Sequence, residues 1–384
     1  MKKAEPFQTE KVVWVSMAHF FHDIYTSFLA PLLPVLKQHY GFSLAFAGLL
    51  SVVQRMPMLL NPLVGVLAER TKARYFVIFS PAITAISMSL LGVSDSKSLL
   101  ILLVLVSGIS SSFFHVPSPV MVRKVSGKKI GRGMGYFMVG GELARTIGPL
   151  VALGAVEIWG LKGLTHLIPV GVLASIILWF KFKNETISDR IKKSTFKAYK
   201  QTVIDIFPVI SSIAMIFFFR AAMKSALTFY LPVFLEHRGE SLWFAGISLS
   251  VLQAAGVVGT FFAGNLSDRI GQKNMIIISS VATPFLMFAF IYSSGILQLG
   301  ILVLIGLFMF ITGPVFLSIA NNLPTKHSNL VNAVYMTTTF LMGALMVMLV
   351  GYLGDHIDLE LTYKIVAFMA LGAIPFSLTI KTPT

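Results

Sequence analysis

Residues 274–325 contain no Asp, Glu, Lys or Arg, and the same holds for 75–94, 98–122, 163–180, 241–267 and 327–354. A helix crossing a bilayer needs about 20 predominantly apolar residues, so each tract supplies at least one crossing. The tract 274–325 is long enough for two, with a break at Ser293-Ser294-Gly295. Of 384 residues, 55% are hydrophobic and only 12% charged, against about 25% charged in soluble domains. That balance excludes a soluble enzyme, a nucleic-acid binder and a disordered chain. Continuous runs such as Ile101–Val106 lack the alternation of a transmembrane β-strand. The expected fold is an all-α membrane protein with 12 transmembrane helices, at about 12–36, 43–68, 75–94, 98–122, 133–157, 163–181, 206–235, 241–267, 274–293, 297–320, 329–353 and 361–380. The first span carries polar residues and no small-residue cleavage site, so we expect it to be retained.

The formal charge of +15 is distributed unevenly. With the N-terminus in the cytoplasm, the loops on that side hold 22 of the 31 Lys and Arg residues, the opposite loops five, and the spans four (Arg55, Arg145, Arg220, Lys224). This is the positive-inside pattern. It accounts for the basicity without nucleic acid and puts both termini inside. The sequence has no cysteine, which removes disulfides, thiol chemistry and thiolate metal ligands.

The chain repeats itself. Residues 33–48 read LPVLKQHYGFSLAFAG and residues 231–246 read LPVFLEHRGESLWFAG, with ten of sixteen positions identical at an offset of 198. At offset 199 the match continues through Gln54 and Gln253, Gly65 and Gly264, and Arg70 and Arg269. The expected organisation is two pseudo-symmetric six-helix bundles, 1–181 and 206–384, joined by a basic cytoplasmic linker, 182–205, whose amphipathic part would rest on anionic lipid.

Gly264-Asn-Leu-Ser-Asp268-Arg269-Ile-Gly271 resembles the loop signature of the major facilitator superfamily; the first copy, Gly65 to Arg70, has Glu69 in place of the Asp. The stretch Gly140 to Gly154 partly resembles the superfamily's antiporter signature, with Ala152 where a glycine is usual. HFFHDIYTSFLAPLLPVL (19–36), GISSSFFHVPSPVMVRKVSG (108–127) and LELTYKI (359–365) resemble the fosmidomycin-resistance branch, although Val116-Pro117-Ser118 follows His115 where the branch has His-Pro and an acidic residue. The resemblance implies proton-coupled antiport of a small anionic drug across a bacterial cytoplasmic membrane, a site at mid-membrane between the halves, a cavity lined by helices 1, 4, 7 and 10, and a monomer. No Walker A or dinucleotide motif is present. No cofactor is expected, and the proton gradient would supply the energy.

Ionisable side chains inside spans are functional candidates. His19, His22 and Asp23 share one face of helix 1. Arg55 lies on helix 2, His115 on helix 4, Glu142 and Arg145 on helix 5, and Arg220 and Lys224 on helix 7. Four cations against two carboxylates give an excess of +2 with neutral imidazoles, which suits oxyanions that take the two-pronged donor set of arginine. Asp23, His22, Glu142 and His115 are expected to move protons; His19, Arg55, Arg145, Arg220 and Lys224 are expected to contact substrate. The alternatives are a structural Asp23 bonded to backbone or Arg55, and an intrahelical Glu142–Arg145 pair. Gly65, Glu69, Arg70, Gly264, Asp268 and Arg269 are expected to gate the cytoplasmic side through helix-dipole contacts. No resident metal is expected. Other readings are uptake or exchange of an organic anion or phosphate ester, a divalent-metal carrier using the histidines and Asp23, and a non-transporting sensor.

Overall fold

The computed structural model describes residues 7–61, 63–64, 67, 74–127, 130–184, 196–321, 323 and 328–380. Among them no strand occurs, and ten helical stretches are long and apolar enough to cross a membrane. Leu44–Leu60 is a shorter apolar stretch. The expected first span, 12–36, is not among the ten: His19, His22 and Asp23 lower its hydropathy, and the helix is broken at Ser27-Phe28. The chain divides into two compact units, residues 1–41 with 50–191 and residues 42–49 with 192–384. Gly65, Glu69 and Arg70 lie outside the described residues.

In the first unit, α1 (Thr9–Thr26) and α2 (Leu29–Tyr40) are separated by a turn at Ser27-Phe28. Pro31 has no N–H to give the Ser27 carbonyl, so the ladder breaks there. Thr26 Oγ1 and Ser27 Oγ instead donate to the carbonyls of Asp23 and Ile24 at 2.9 and 2.7 Å. The break falls one turn after Asp23. Then come α3 (Leu44–Arg55), α4 (Arg74–Ser89), α5 (Lys97–His115), α6 (Pro117–Val125), α7 (Ile130–Trp159) and α8 (Ile168–Phe182). Proline also ends α5: Pro117 starts α6 and leaves His115 as the last residue of the preceding helix. Val15, Ala18, Val77, Phe114, Phe137 and Leu178 form part of a buried core shared by α1, α4, α5, α7 and α8.

Glycines set how closely α7 approaches α1. A Cβ on Gly140 would run into the Ser16 carbonyl, on Gly141 into the His19 ring, and on Gly148 into Ser27 Oγ. Small residues at membrane helix interfaces permit this approach, and here it brings the polar face of α1 against α7.

The second unit continues with α9 (Phe196–Ser225), a π-turn at Ala226–Tyr230, α10 (Leu231–His237), α11 (Leu242–Ile270), α12 (Gln272–Ile291), α13 (Gly295–Phe310), α14 (Thr312–Asn321), α15 (Ser328–His356), α16 (Leu359–Leu371) and α17 (Ala373–Thr379). Ile213, Ile216, Ile276, Phe316, Val331 and Tyr335 form part of its core. Gly264 and Asp268 are helical residues of α11, and Arg269 is exposed near its end. Asp358 caps α16; its carboxyl sits below the usual range because it accepts the Leu361 and Glu360 N–H groups and faces His237 at 3.4 Å.

The first turn of α3 belongs to this second unit. Asp355, in the last turn of α15, accepts the N–H groups of Leu44 and Ala45, each at 2.7 Å. Tyr230 Oη lies 2.9 Å from both the Leu44 and the Val347 carbonyls. A carboxylate at a helix N-terminus takes up unbonded donors and opposes the macrodipole, whereas at the end of its own helix it is unfavourably placed. Asp355→Ala should release this turn, at about 1–2 kcal/mol. The expected result is roughly tenfold faster amide exchange at Leu44 and Ala45, with exchange in α4 unchanged; unaltered exchange at Leu44 would refute the contact.

Candidate functional site

The polar residues of α1, α5 and α7 meet at one carboxylate. Asp23 Oδ2 lies 3.2 Å from His19 Nε2 and 3.4 Å from Arg145 Nη1; Oδ1 lies 3.3 Å from His115 Nε2 and 4.0 Å from His22 Nε2. Arg145 Nη2 also pairs closely with Glu142 Oε1. The side chains of His19, His22 and Asp23 are at most 4% exposed, whereas those of His115 and Arg145 are 34% and 38% exposed. The carboxylate is thus sealed on the α1 side and reached through His115 and Arg145. Stripping an unpaired carboxylate of water costs several kcal/mol; these partners offset that cost.

Each imidazole is held in place from behind. His19 Nδ1 is 2.7 Å from the Phe137 carbonyl, and the ring stacks on Phe137 at 4.1 Å. His22 Nδ1 is 3.1 Å from Thr84 Oγ1, and its ring stacks on Phe114 at 4.5 Å. His115 Nδ1 is 3.0 Å from the Ser111 carbonyl and 3.2 Å from Ser111 Oγ. Spacing on α1 had suggested the grouping of His19, His22 and Asp23. The convergence of His115, Arg145 and Glu142 on it required the tertiary fold. His19, expected to contact substrate, faces Asp23 instead. Of the two alternatives, the intrahelical Glu142–Arg145 pair is present, whereas the Asp23 carboxylate faces His19, His22, His115 and Arg145 rather than backbone or Arg55.

His19, Asp23 and His115 present ligand atoms within 4.8 Å of one another. The Arg145 guanidinium lies against the same carboxylate and repels a divalent cation there.

The remaining cations divide. Arg55, at the end of α3, is exposed and lies near enough to Arg145 for mutual repulsion. In the second unit Arg220 is only 6% exposed. Its Nη2 donates to Ser279 Oγ at 2.6 Å, and Ser279 in turn donates to the Phe308 carbonyl. Arg220 Nη1 has no hydrogen-bond partner, and no ion pair joins Arg220 to a carboxylate among the described residues. Lys224, one turn later, is exposed with Nζ 5.3 Å from the Phe310 ring centroid.

The two buried seams are copies of each other. His22 and Arg220 are 198 residues apart, as are Ser110 and Phe308, and Ser80 and Ser279 are 199 apart. Ser80 Oγ donates to the Ser110 carbonyl at 3.2 Å, as Ser279 does to that of Phe308. Thr84 Oγ1 donates to Ser110 Oγ at 2.8 Å. Sequence reading did not single out these hydroxyls, nor Asp355; carrying the repeat offset beyond residue 269 would have pointed to Ser80 and Ser279.

Gly141→Val tests how the site is positioned. The added side chain would push the His19 ring away from Phe137, at an overpacking cost of about 1–3 kcal/mol. The purified protein should still unfold cooperatively a few degrees lower, with the His19 ring signals shifted in its NMR spectrum; unshifted signals would show that Gly141 does not set the placement of that ring.

The chain matches the family model of the Major Facilitator Superfamily over residues 15–347. It is 28% identical over 378 residues to the fosmidomycin resistance protein of Escherichia coli K12, covering 93% of this chain and 89% of that one. It is 23% identical over 292 residues to the multidrug resistance protein MdtG of Proteus mirabilis, covering 72% and 71%. Among solved structures, a bacterial homologue of the human lysosomal transporter Spinster, inward-facing and occupied, superposes with a TM-score of 0.81 at 13% identity, covering 98% and 97% of the chains. A D-xylose–proton symporter superposes with a TM-score of 0.78 at 13% identity, covering 98% of each. With a matched family model spanning most of its length and the fold of solved transporters, the chain belongs to the Major Facilitator Superfamily.

Proposed function

We propose that this transporter is a proton-coupled exporter of small anionic compounds, phosphonate-type antibiotics among them, working by alternating access. In this reading twelve helices cross the cytoplasmic membrane of a bacterium, both termini face the cytoplasm, the two six-helix halves rock about the linker at 182–205, and a monomer is the working unit. No cofactor takes part, and the proton gradient drives the cycle.

The observation that carries the anionic cargo is Arg220. A guanidinium buried in a membrane protein without a carboxylate partner among the described residues, and with Nη1 unbonded, is strongly biased toward an anion. A phosphonate or phosphate ester offers the paired oxygens that a guanidinium binds best. Lys224, one turn away on the same face, extends the same attraction. The relatives named for fosmidomycin and multidrug resistance support export over uptake.

The Asp23 group supplies the proton side. Arg145 is shared between Asp23 and Glu142 and is partly exposed. An incoming anion that draws Arg145 toward itself would alter the charge felt by Asp23 and its imidazoles. Opposite charges favour the ionised form of a group and like charges oppose it, which is the coupling an antiporter needs.

The test uses a fosmidomycin-sensitive bacterium lacking its own resistance transporter. Expression of the wild-type protein should raise the inhibitory concentration, and a protonophore should abolish the protection. Arg220→Ala should weaken anion binding about thirtyfold or more, because truncating a buried charged partner costs at least about 2 kcal/mol, while Arg220→Lys should retain part of the activity. Asp23→Asn should eliminate proton coupling at unchanged expression. Sensitisation by the wild-type protein would instead establish uptake, and full protection by Arg220→Ala would remove Arg220 from the substrate site.

A further inference from the structure

We infer that the coupled proton is held as an imidazolium by the His19–His115 pair, facing an Asp23 carboxylate that stays ionised. This deepens the proton-coupled reading above by naming the proton's seat.

The argument follows the hydrogens. The Phe137 carbonyl beside His19 Nδ1 can only accept, so that nitrogen must carry a hydrogen. The Ser111 carbonyl makes the same demand of His115 Nδ1. Thr84 Oγ1 spends its own hydrogen on Ser110 Oγ, which leaves it to accept from His22 Nδ1. A neutral imidazole has one N–H. In the neutral state all three Nε2 atoms would therefore lie beside Asp23 without a hydrogen, at 3.2, 3.3 and 4.0 Å. His19 Nε2, His22 Nε2 and Asp23 Oδ1 are buried and have no hydrogen-bond partner of their own. Acceptors crowded on acceptors at buried positions are costly. One added proton on Nε2 turns a repulsive contact into an attractive one.

The choice between carboxyl and imidazole follows from the remaining neighbours. On α7, Arg145 touches Asp23 Oδ2 and Glu142 pairs with Arg145; α3 adds Arg55 on the Arg145 side; α4 contributes the Thr84 hydroxyl and the Ser80 backbone to His22. Asp23, Glu142 and Arg145 together sum to −1, so one proton neutralises the group that is in contact. Arg145 against Oδ2 favours the ionised carboxylate and leaves that proton to His19 or His115. His19 and His115 address the two different oxygens of Asp23, which allows the proton to be taken by either. His115 is partly exposed while His19 is sealed, so His115 is the port and His19 the store. His22 remains neutral, its longer distance to Oδ1 giving the weakest pull.

The test is made on detergent-purified, substrate-free protein, so it stands or falls independently of cargo and direction. Histidine labelled with nitrogen-15 and aspartate labelled with carbon-13 are followed by NMR and infrared difference spectroscopy between about pH 5 and about pH 9. The expected result is imidazolium signals that persist when either His19→Gln or His115→Gln is made alone, are lost when both are made together, and give up one proton on alkalinisation, with the Asp23 carboxylate ionised throughout. A protonated-carboxyl signal removed by Asp23→Asn would overturn the inference. Should Asp23→Asn fail to fold, the wild-type aspartate spectrum alone decides, since a protonated buried carboxyl would already contradict it. Stoichiometric zinc or manganese in the purified protein, displaced in His19→Gln, would also overturn it by making the positive charge a metal ion.

Discussion

One desolvated carboxylate organises the first unit. Asp23 sits in a helical core where a lone negative charge would cost several kcal/mol, and it is tolerated because His19, His115 and Arg145 reach it from three helices. That requirement explains local features that otherwise look unrelated. The α1 ladder breaks just past Asp23, proline ends α5 at His115, and glycines on α7 admit the His19 ring. Each breaks an ordinary rule of helix building, and each bears on the placement of one of the charged partners.

The repeat shows how a duplicated scaffold was put to different uses. Both halves keep a serine that crosses to a carbonyl on the neighbouring helix, Ser80 to Ser110 and Ser279 to Phe308. At equivalent positions the first half has His22 and the second Arg220. A histidine can change charge within the physiological range and an arginine cannot. The position equivalent to Asp23 is Ala221, and that equivalent to His115 is Gly313. At these positions the titratable groups fall in one half, while the other keeps a permanent cation without a carboxylate partner among the described residues. In the function proposed here, those substitutions would divide proton handling from anion attraction.

The Asp355 contact belongs to another kind of chemistry. Leu44 and Ala45 N–H groups are donors that a helix start always leaves unbonded, and Asp355 is a carboxylate that its own helix end disfavours. Each resolves the other's electrostatic problem. Tyr230 adds a hydroxyl on the same turn, so the segment is fastened by directional bonds as well as by apolar packing.

Membrane residence, the repeat and the candidate residues were all legible in the chain, because hydropathy, charge bias and an offset of 198 residues are linear properties. So was the shared face of His19, His22 and Asp23, which needs only the 3.6-residue period. The sequence also suggested twelve apolar spans. Among the described residues the structure qualifies the first two, because His19, His22 and Asp23 lower the apolar character of 12–36 and the stretch within 43–68 is a shorter apolar helix, Leu44–Leu60. Only the tertiary structure decided which charges meet. A list of four cations and two carboxylates suggested one positive pocket. Folding instead places Arg145 between Asp23 and Glu142, turns His19 toward Asp23, and leaves Arg220 without a carboxylate partner among the described residues. Pairing depends on helix rotation and approach, which here depend on single glycines and on which nitrogen of each imidazole is tied back, and neither has a signature along the chain.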